Sequence, residues 1–300
     1  MKVLVTGASG FVARHVMEYL SSHGHEPVPT DVTGGPNQGS VADRSFVFDV
    51  LSKLEFESVV HLAGIADLRR TLENPYAAFE VNSYGTLNML ELASRKKVKR
   101  FVYASSANVY GAPKKNPVTE DNPFDPRVPY DYSKVAGESF VMGYYKSKSL
   151  PIAITRSWLL FGEHDALNRA VPRFVKSCLE NQPIKLFNSG RDATAPSHAV
   201  NYGKLVASLL EKPGAVGETF NFGGERVLTI RELAELIKKL TGSSSELQML
   251  PPRSEAESEP QVSYPSTKKM MEKLQYNYEI DLEAGLMRTA DWMKSLARES

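Results

Sequence analysis

The stretch "PYDYSK" places Tyr130 four residues before Lys134. On a helix these positions share a face, so the ammonium can approach the phenol. A phenol so supported can exchange a proton with a substrate hydroxyl, the acid–base step of an alcohol oxidation. A free phenol titrates near 10, so it serves as a base near neutrality only where adjacent positive charge stabilises the phenolate. Spacing alone does not select this pair. Four of the 13 tyrosines have a lysine four residues on: Tyr110/Lys114, Tyr130/Lys134, Tyr144/Lys148 and Tyr264/Lys268. Gly111 and Pro113 interrupt the first pair and Pro265 the last, and proline breaks a helical turn. Tyr144/Lys148 lies about 21 Å further along the same helix, at 1.5 Å per residue. Only Tyr130/Lys134 follows a proline that suits the first turn of a helix. Ser105 and Ser106 close the apolar run "RFVYASS" and offer hydroxyls to the same substrate oxygen.

The elements that must position these groups are legible as a rhythm. Short apolar runs recur at "KVLVTG", "SVVHLAG", "RFVYASS" and "IAITRS", separated by stretches of helical periodicity. That βαβ pattern predicts a parallel sheet, which places its ligands at the carboxyl ends of the strands. "NPYAAFEVNSYGTLNMLELASRKK" and "DYSKVAGESFVMGYYKS" predict two long helices, over 74–97 and 131–148. Beyond residue 160 the pattern turns to mixed loops and helices. "TIRELAELIKKLTG" there predicts a helix capped by Thr229 and stopped at Gly242. "PPRSEAESEP" reads as a loop, and "GETFNFGG" as a strand returning to the first sheet. A 1–160 nucleotide-binding portion, with a returning segment near 195–223, and a smaller α-rich 161–300 portion are expected.

"VTGASGFVARHV" puts Gly7 and Gly10 after the first strand and Ala13 at the third position. The first allows a tight turn, the second close approach of backbone amides to a pyrophosphate, and the third close packing of helix on strand. The next strand ends in Asp31, about 20 residues past Gly10. A carboxylate there accepts both ribose hydroxyls and repels a 2′-phosphate, and no arginine directly follows it. NAD is therefore expected rather than NADP. Asp49 in "VFDVL" is a candidate for the adenine amino group, with a helix cap as the alternative.

The bulk numbers exclude several classes. With 36 basic and 35 acidic residues the net charge is +1, so no overall field points to nucleic acid or a membrane surface. Cys178 is the only cysteine, which rules out an internal disulfide and a cysteine metal cluster and fits a reducing cytoplasm. The opening "MKVLVTGASG" carries no long apolar run, so neither export nor membrane anchoring is expected. No metal site is expected.

Taken together, "TGASGFVA", Asp31, "HLAG", "NPYAAFEVNSYGTLNMLELA", "YASSANVYG", "PYDYSK", "NFGG", "TIRELAEL" and "DLEAGLMRTADWM" resemble the extended short-chain dehydrogenase/reductase family. The likeness is to its nucleotide-sugar epimerase/dehydratase branch and covers nearly the whole chain. It implies an α/β fold with a Rossmann-type doubly wound parallel sheet and a C-terminal substrate portion. It also implies Ser106 as the catalytic hydroxyl, Tyr130 as acid/base, and Lys134 as its partner and a holder of the nicotinamide ribose. Phe11, Val12, Val50, Leu62, Ala63, Gly64 and Asn82 would join Gly7, Gly10, Asp31 and Asp49 around NAD. Ser105, Arg156, Asn168, Arg191 and Arg253 would join Ser106 around the substrate, with Arg173 a further cation. Relatives commonly form homodimers by pairing the two long helices.

Relatives that eliminate water carry an Asp-Glu pair after the catalytic hydroxyl residue, and decarboxylases commonly a Glu nearby, where this chain has Ala107 and Asn108. That favours the 4-epimerases, which remove hydrogen at C4 and return it to the other face of the sugar. Two positions depart from the family. Leu159 stands where many relatives have an asparagine that contacts the sugar nucleotide, and Thr194 stands four residues before His198 where an arginine is usual. His198 itself reads as structural. These departures keep open an NAD-dependent dehydrogenase or reductase of a sugar, uronate or hydroxy acid without a nucleotide, and a module that binds cofactor without chemistry.

Overall fold

The computed structural model describes residues 1–35, 37–252 and 259–299. Strands β1 (Lys2–Thr6), β2 (Glu26–Thr30), β3 (Ser58–His61), β4 (Arg100–Ser106), β5 (Ile152–Ser157) and β6 (Glu218–Phe222) form one sheet. All pairs are parallel, in the order β6-β5-β4-β3-β1-β2. The helices that cover it and extend beyond it are α1 (Phe11–Ser22), α2 (Gly85–Lys96), α3 (Pro129–Lys148), α4 (Ala170–Leu179), α5 (Ala199–Glu211), α6 (Ile230–Thr241) and α7 (Leu282–Glu299). No helix among the described residues is long and apolar enough to cross a membrane.

Strand side chains alternate between two buried layers, as the pleat requires. Leu4, Val59, Phe101, Tyr103, Ile152 and Ile154 pack with Met89 and Leu90 of α2 and Val141 of α3. Val3, Val5, Val60, Val102, Ala153 and Phe220 pack on the other face with Val16 and Leu20 of α1 and Leu205 and Val206 of α5. Both faces are covered, which is why the strands read as continuous apolar runs rather than alternating ones. A third cluster, built by Val171 and Phe174 of α4, Leu233 and Ile237 of α6 and Leu286 and Ala290 of α7, forms the remaining core.

The first long helix is interrupted by a π turn at Glu80–Tyr84, between Pro75–Phe79 and α2. Thr229 and Glu232 exchange hydrogen bonds in a capping box at the start of α6, which stops at Gly242 in a left-handed conformation (φ 65°). The proline-bounded loop near residue 255 lies largely outside the described residues, Arg253 included. β2 tolerates Pro27 and Pro29 because it is an edge strand.

Sheet order reverses between β1 and β3, since β1 is followed in sequence by β2 on one side and then β3 on the other. A crevice at the carboxyl ends of the strands is expected at such a switch. The Gly7 turn and the Leu62–Gly64 segment meet there: a Cβ on Gly7 would stand 2.8 Å from the Ala63 backbone, and its φ is +70°. Thr6 Oγ1 sits 2.7 Å from His61 Nδ1 and accepts the Ala63 amide, tying the two strand ends together. His61 is fully buried, and burial together with the Lys134 charge lowers it to about 3, so the ring is neutral.

Candidate active site

Helix α3 descends directly onto β4. A Cβ at Gly137 would lie 2.1 Å from the Tyr103 hydroxyl, so only glycine permits this approach. The approach carries Lys134 to the end of β4, where its Nζ donates to the Ala104 carbonyl at 2.8 Å. The same nitrogen stands 5.2 Å from the Tyr103 ring centre and 6.0 Å from that of Tyr130. Burial lowers the Lys134 ammonium from 10.5 to about 8, opposed by the Glu138 carboxylate one turn on. Burial also pushes the Tyr130 phenol above 10, while the Ser106 hydroxyl and the Arg169 charge pull it down. Ser106 ends β4 and caps the following turn, accepting the Asn108 amide at 3.2 Å.

Beneath this end lies a buried polar network. Arg156 on β5 binds both oxygens of Glu138, with Nη2–Oε2 at 2.7 Å and Nε–Oε1 at 2.9 Å. Its Nη1 donates to Tyr110 at 2.6 Å and to the Glu120 carbonyl. Ser105 donates to Glu138 Oε1 at 2.5 Å. Arg156 thus belongs to a structural ion pair rather than to the cavity, and the Ser105 hydroxyl is committed to Glu138.

The cavity, about 1100 Å³, opens along the carboxyl ends of the strands. Phe11, Val12, Leu62, Gly64, Ser105, Ser106, Tyr130 and Lys134 line one half, and Asn168 lines the other, beside Trp158, Leu159, Thr194 and Ile230. Asn82 lies behind Gly64, where its Oδ1 accepts the Ile65 amide at 2.7 Å and its Nδ2 donates to Ser133 on α3 at 2.9 Å. Asp31 accepts the Ser9 amide at 3.0 Å and the Thr33 amide at 3.1 Å, which holds its carboxylate beside the glycine turn. A turn with Gly7 and Gly10 at a strand-to-helix junction, followed by this carboxylate, fits a dinucleotide.

Other candidates fall elsewhere. Asp49 and Val50 sit exposed on the helical turn Phe46–Val50 and do not line the cavity. The chain instead brings Gln38 against Asp31 in a single bridge and leads directly into Ser40 and Val41. Arg191 is engaged by Asn188, its Nη2 at 2.6 Å from Oδ1. His198 is buried against Glu163 at 2.8 Å, away from the cavity lining. The sequence reading missed Glu138, although it stands four residues after Lys134 as Lys134 stands after Tyr130. It also missed Arg169, the residue before α4, and Arg127, both of which line the cavity.

A sequence profile of the NAD dependent epimerase/dehydratase family matches residues 3–223. The chain is 31% identical to UDP-glucuronic acid decarboxylase 1 of Danio rerio over 307 residues, 97% of this chain and 72% of that protein. The crystal structure of UDP-glucose 4-epimerase with UDP-glucose from Thermotoga maritima superposes with a TM-score of 0.91 at 25% identity, covering 99% of this chain and 100% of that one. That of UDP-glucuronic acid 4-epimerase from Bacillus cereus, in complex with UDP-glucuronic acid and NAD, gives 0.86 at 26% identity over 99% and 100%.

Proposed function

The chain belongs to the NAD-dependent epimerase/dehydratase family, and from that premise we propose that it is a nucleotide-sugar 4-epimerase. When bound, NAD supplies the reversible uptake of hydrogen from the sugar carbon that bears the reacting hydroxyl. Tyr130 takes the hydroxyl proton and later returns it, once the sugar presents its other face. Ser106 holds the same oxygen by a hydrogen bond. The Lys134 ammonium, 6.0 Å from the ring centre, favours the phenolate against its burial.

The observation that carries this reading is the lack, among the described residues, of a carboxylate directly after Ser106. The next residues are Ala107 and Asn108, and among the described residues each carboxylate lining the cavity already accepts backbone amides, although Asp131 Oδ1 has no partner. Asp67 accepts the Arg69 and Arg70 amides, Asp131 those of Arg127 and Val128, and Asp192 that of Gln261. Elimination needs an extra acid or base, whereas a 4-epimerase needs only the reversible oxidation. The test is product chromatography with absorbance at 340 nm, using NAD and UDP-, dTDP- and GDP-sugars. Interconversion without net NADH, reduced about 10²- to 10⁴-fold by Tyr130→Phe, is expected. Net NADH from a sugar or hydroxy acid without a nucleotide would replace this reading with a dehydrogenase, which the apolar lining at Leu159 and Ile230 favours.

We also infer a homodimer that pairs the 75–96 helical stretch with α3. The exposed Tyr76 and Tyr84 on the first of these support it, and sedimentation velocity tests it.

A further inference from the structure

The described cations lining the cavity are Lys134, Arg127 and Arg169. Lys134 is held by the Ala104 carbonyl, and Arg127 leans on Asp125 at 3.5 Å out on an exposed loop. Arg169 differs from both. Its guanidinium lies 5.8 Å from the ring centre of Phe11, the residue that opens α1 just after the glycine turn. Its nearest carboxylate is Asp165, at 3.6 Å from Nε. That is too long for a hydrogen bond, and Asp165 Oδ1 already accepts the Ala166 amide at 2.8 Å. The five donors of Arg169 are therefore unspent toward the described residues, and the side chain is 44% exposed.

We propose that Arg169 binds a carboxylate carried by the sugar next to its reacting carbon, so that the substrate is a nucleotide-linked sugar acid rather than a neutral hexose. The inference rests on the reading that the reacting carbon sits at Tyr130. The guanidinium and the phenol line one cavity, and the Arg169 charge is felt at Tyr130. A cation on the wall of the same cavity can meet a charged substituent of the sugar held there. A neutral hydroxymethyl group there would leave a cation without an acceptor, whereas a planar carboxylate matches the guanidinium fork.

The test is calorimetric binding of UDP-glucuronate, UDP-glucose and UDP to the NAD-loaded protein, with product analysis run alongside. UDP-glucuronate should bind at least about tenfold more tightly than UDP-glucose, the scale of one charge-assisted hydrogen bond. Arg169→Gln should erase that ratio, while Arg169→Lys should keep a substantial part of it. A ratio near one in the unaltered protein, or a ratio that survives Arg169→Gln, overturns the proposal. So does a loss in Arg169→Gln confined to UDP or NAD affinity, which would assign the cation to a phosphate. The two readings separate cleanly. Preferential binding of the acid without interconversion sinks the epimerase and leaves Arg169 in place, whereas interconversion of neutral sugars without acid preference does the reverse.

Discussion

Tyr130, Lys134 and Glu138 occupy successive turns of one helix face, so phenol, ammonium and carboxylate form a graded column from the cavity into the core. Lys134 is the titrating centre of that column. Burial brings its folded value down from 10.5 to about 8, so the ammonium is largely present at pH 7 and is lost above 8. Tyr130 is raised by burial, so its phenolate is scarce at low pH. The rate of sugar oxidation should therefore climb as pH rises toward about 8 and then level off, because further gain of phenolate is offset by loss of the ammonium. In Lys134→Arg the climb should continue past 8, because a guanidinium stays charged throughout. A kcat/KM profile from pH 5 to 10 checks the climb and the plateau. At this scale the Tyr130–Lys134 spacing was legible because it is local, and Ser106 because it closes an apolar run; the fold brings all three to one cavity. The fate of Arg156 was not, since its partner Glu138 comes from another element, and no local pattern announces a pairing between a strand and a helix.

Elements meet at this site through missing side chains. The Gly7 turn needs a positive φ and lies against the Ala63 backbone, so Gly7→Ala should cost about 1–3 kcal/mol of stability. It should also lower NAD affinity at least about tenfold, readable by fluorescence titration. The turn was visible in the sequence, as were the four apolar strands and the Thr229 and Gly242 helix ends, because each rests on local chemistry. The π turn at Glu80–Tyr84 was not, since a single added residue per turn leaves the apolar period nearly unchanged. The adenine candidate Asp49 lies away from the cavity lining. Phe46 and Val47 are buried from a helical turn, which leaves Asp49 facing out.

Across the whole molecule, one carboxylate joins segments that are far apart in the chain. Glu163 contacts His198 at 2.8 Å and His15 at 3.6 Å, and pairs with Arg288 of α7. Burial alone would raise its carboxyl, but the His198 hydrogen bond and the Arg288 partner hold it at about 2, down from 4.5. Its stabilisation is therefore complete above pH 4.5 and is lost as pH falls through 2. Glu163→Gln should cost about 3 kcal/mol at neutral pH. That difference should shrink at pH 3, as measured by urea denaturation at the two pH values. Nothing local in "FGEHDA" signalled this junction, because 148 residues separate His15 from Glu163. The prolines of β2 have a consequence of another kind. The Glu26 amide turns inward to the Met1 carbonyl, so the alternate positions Pro27 and Pro29 face the open margin of the sheet. That margin offers carbonyl oxygens and, at those two positions, no N–H. A strand from a neighbouring molecule finds few donors to pair with, so crowding at high concentration has little purchase for building fibres from this side.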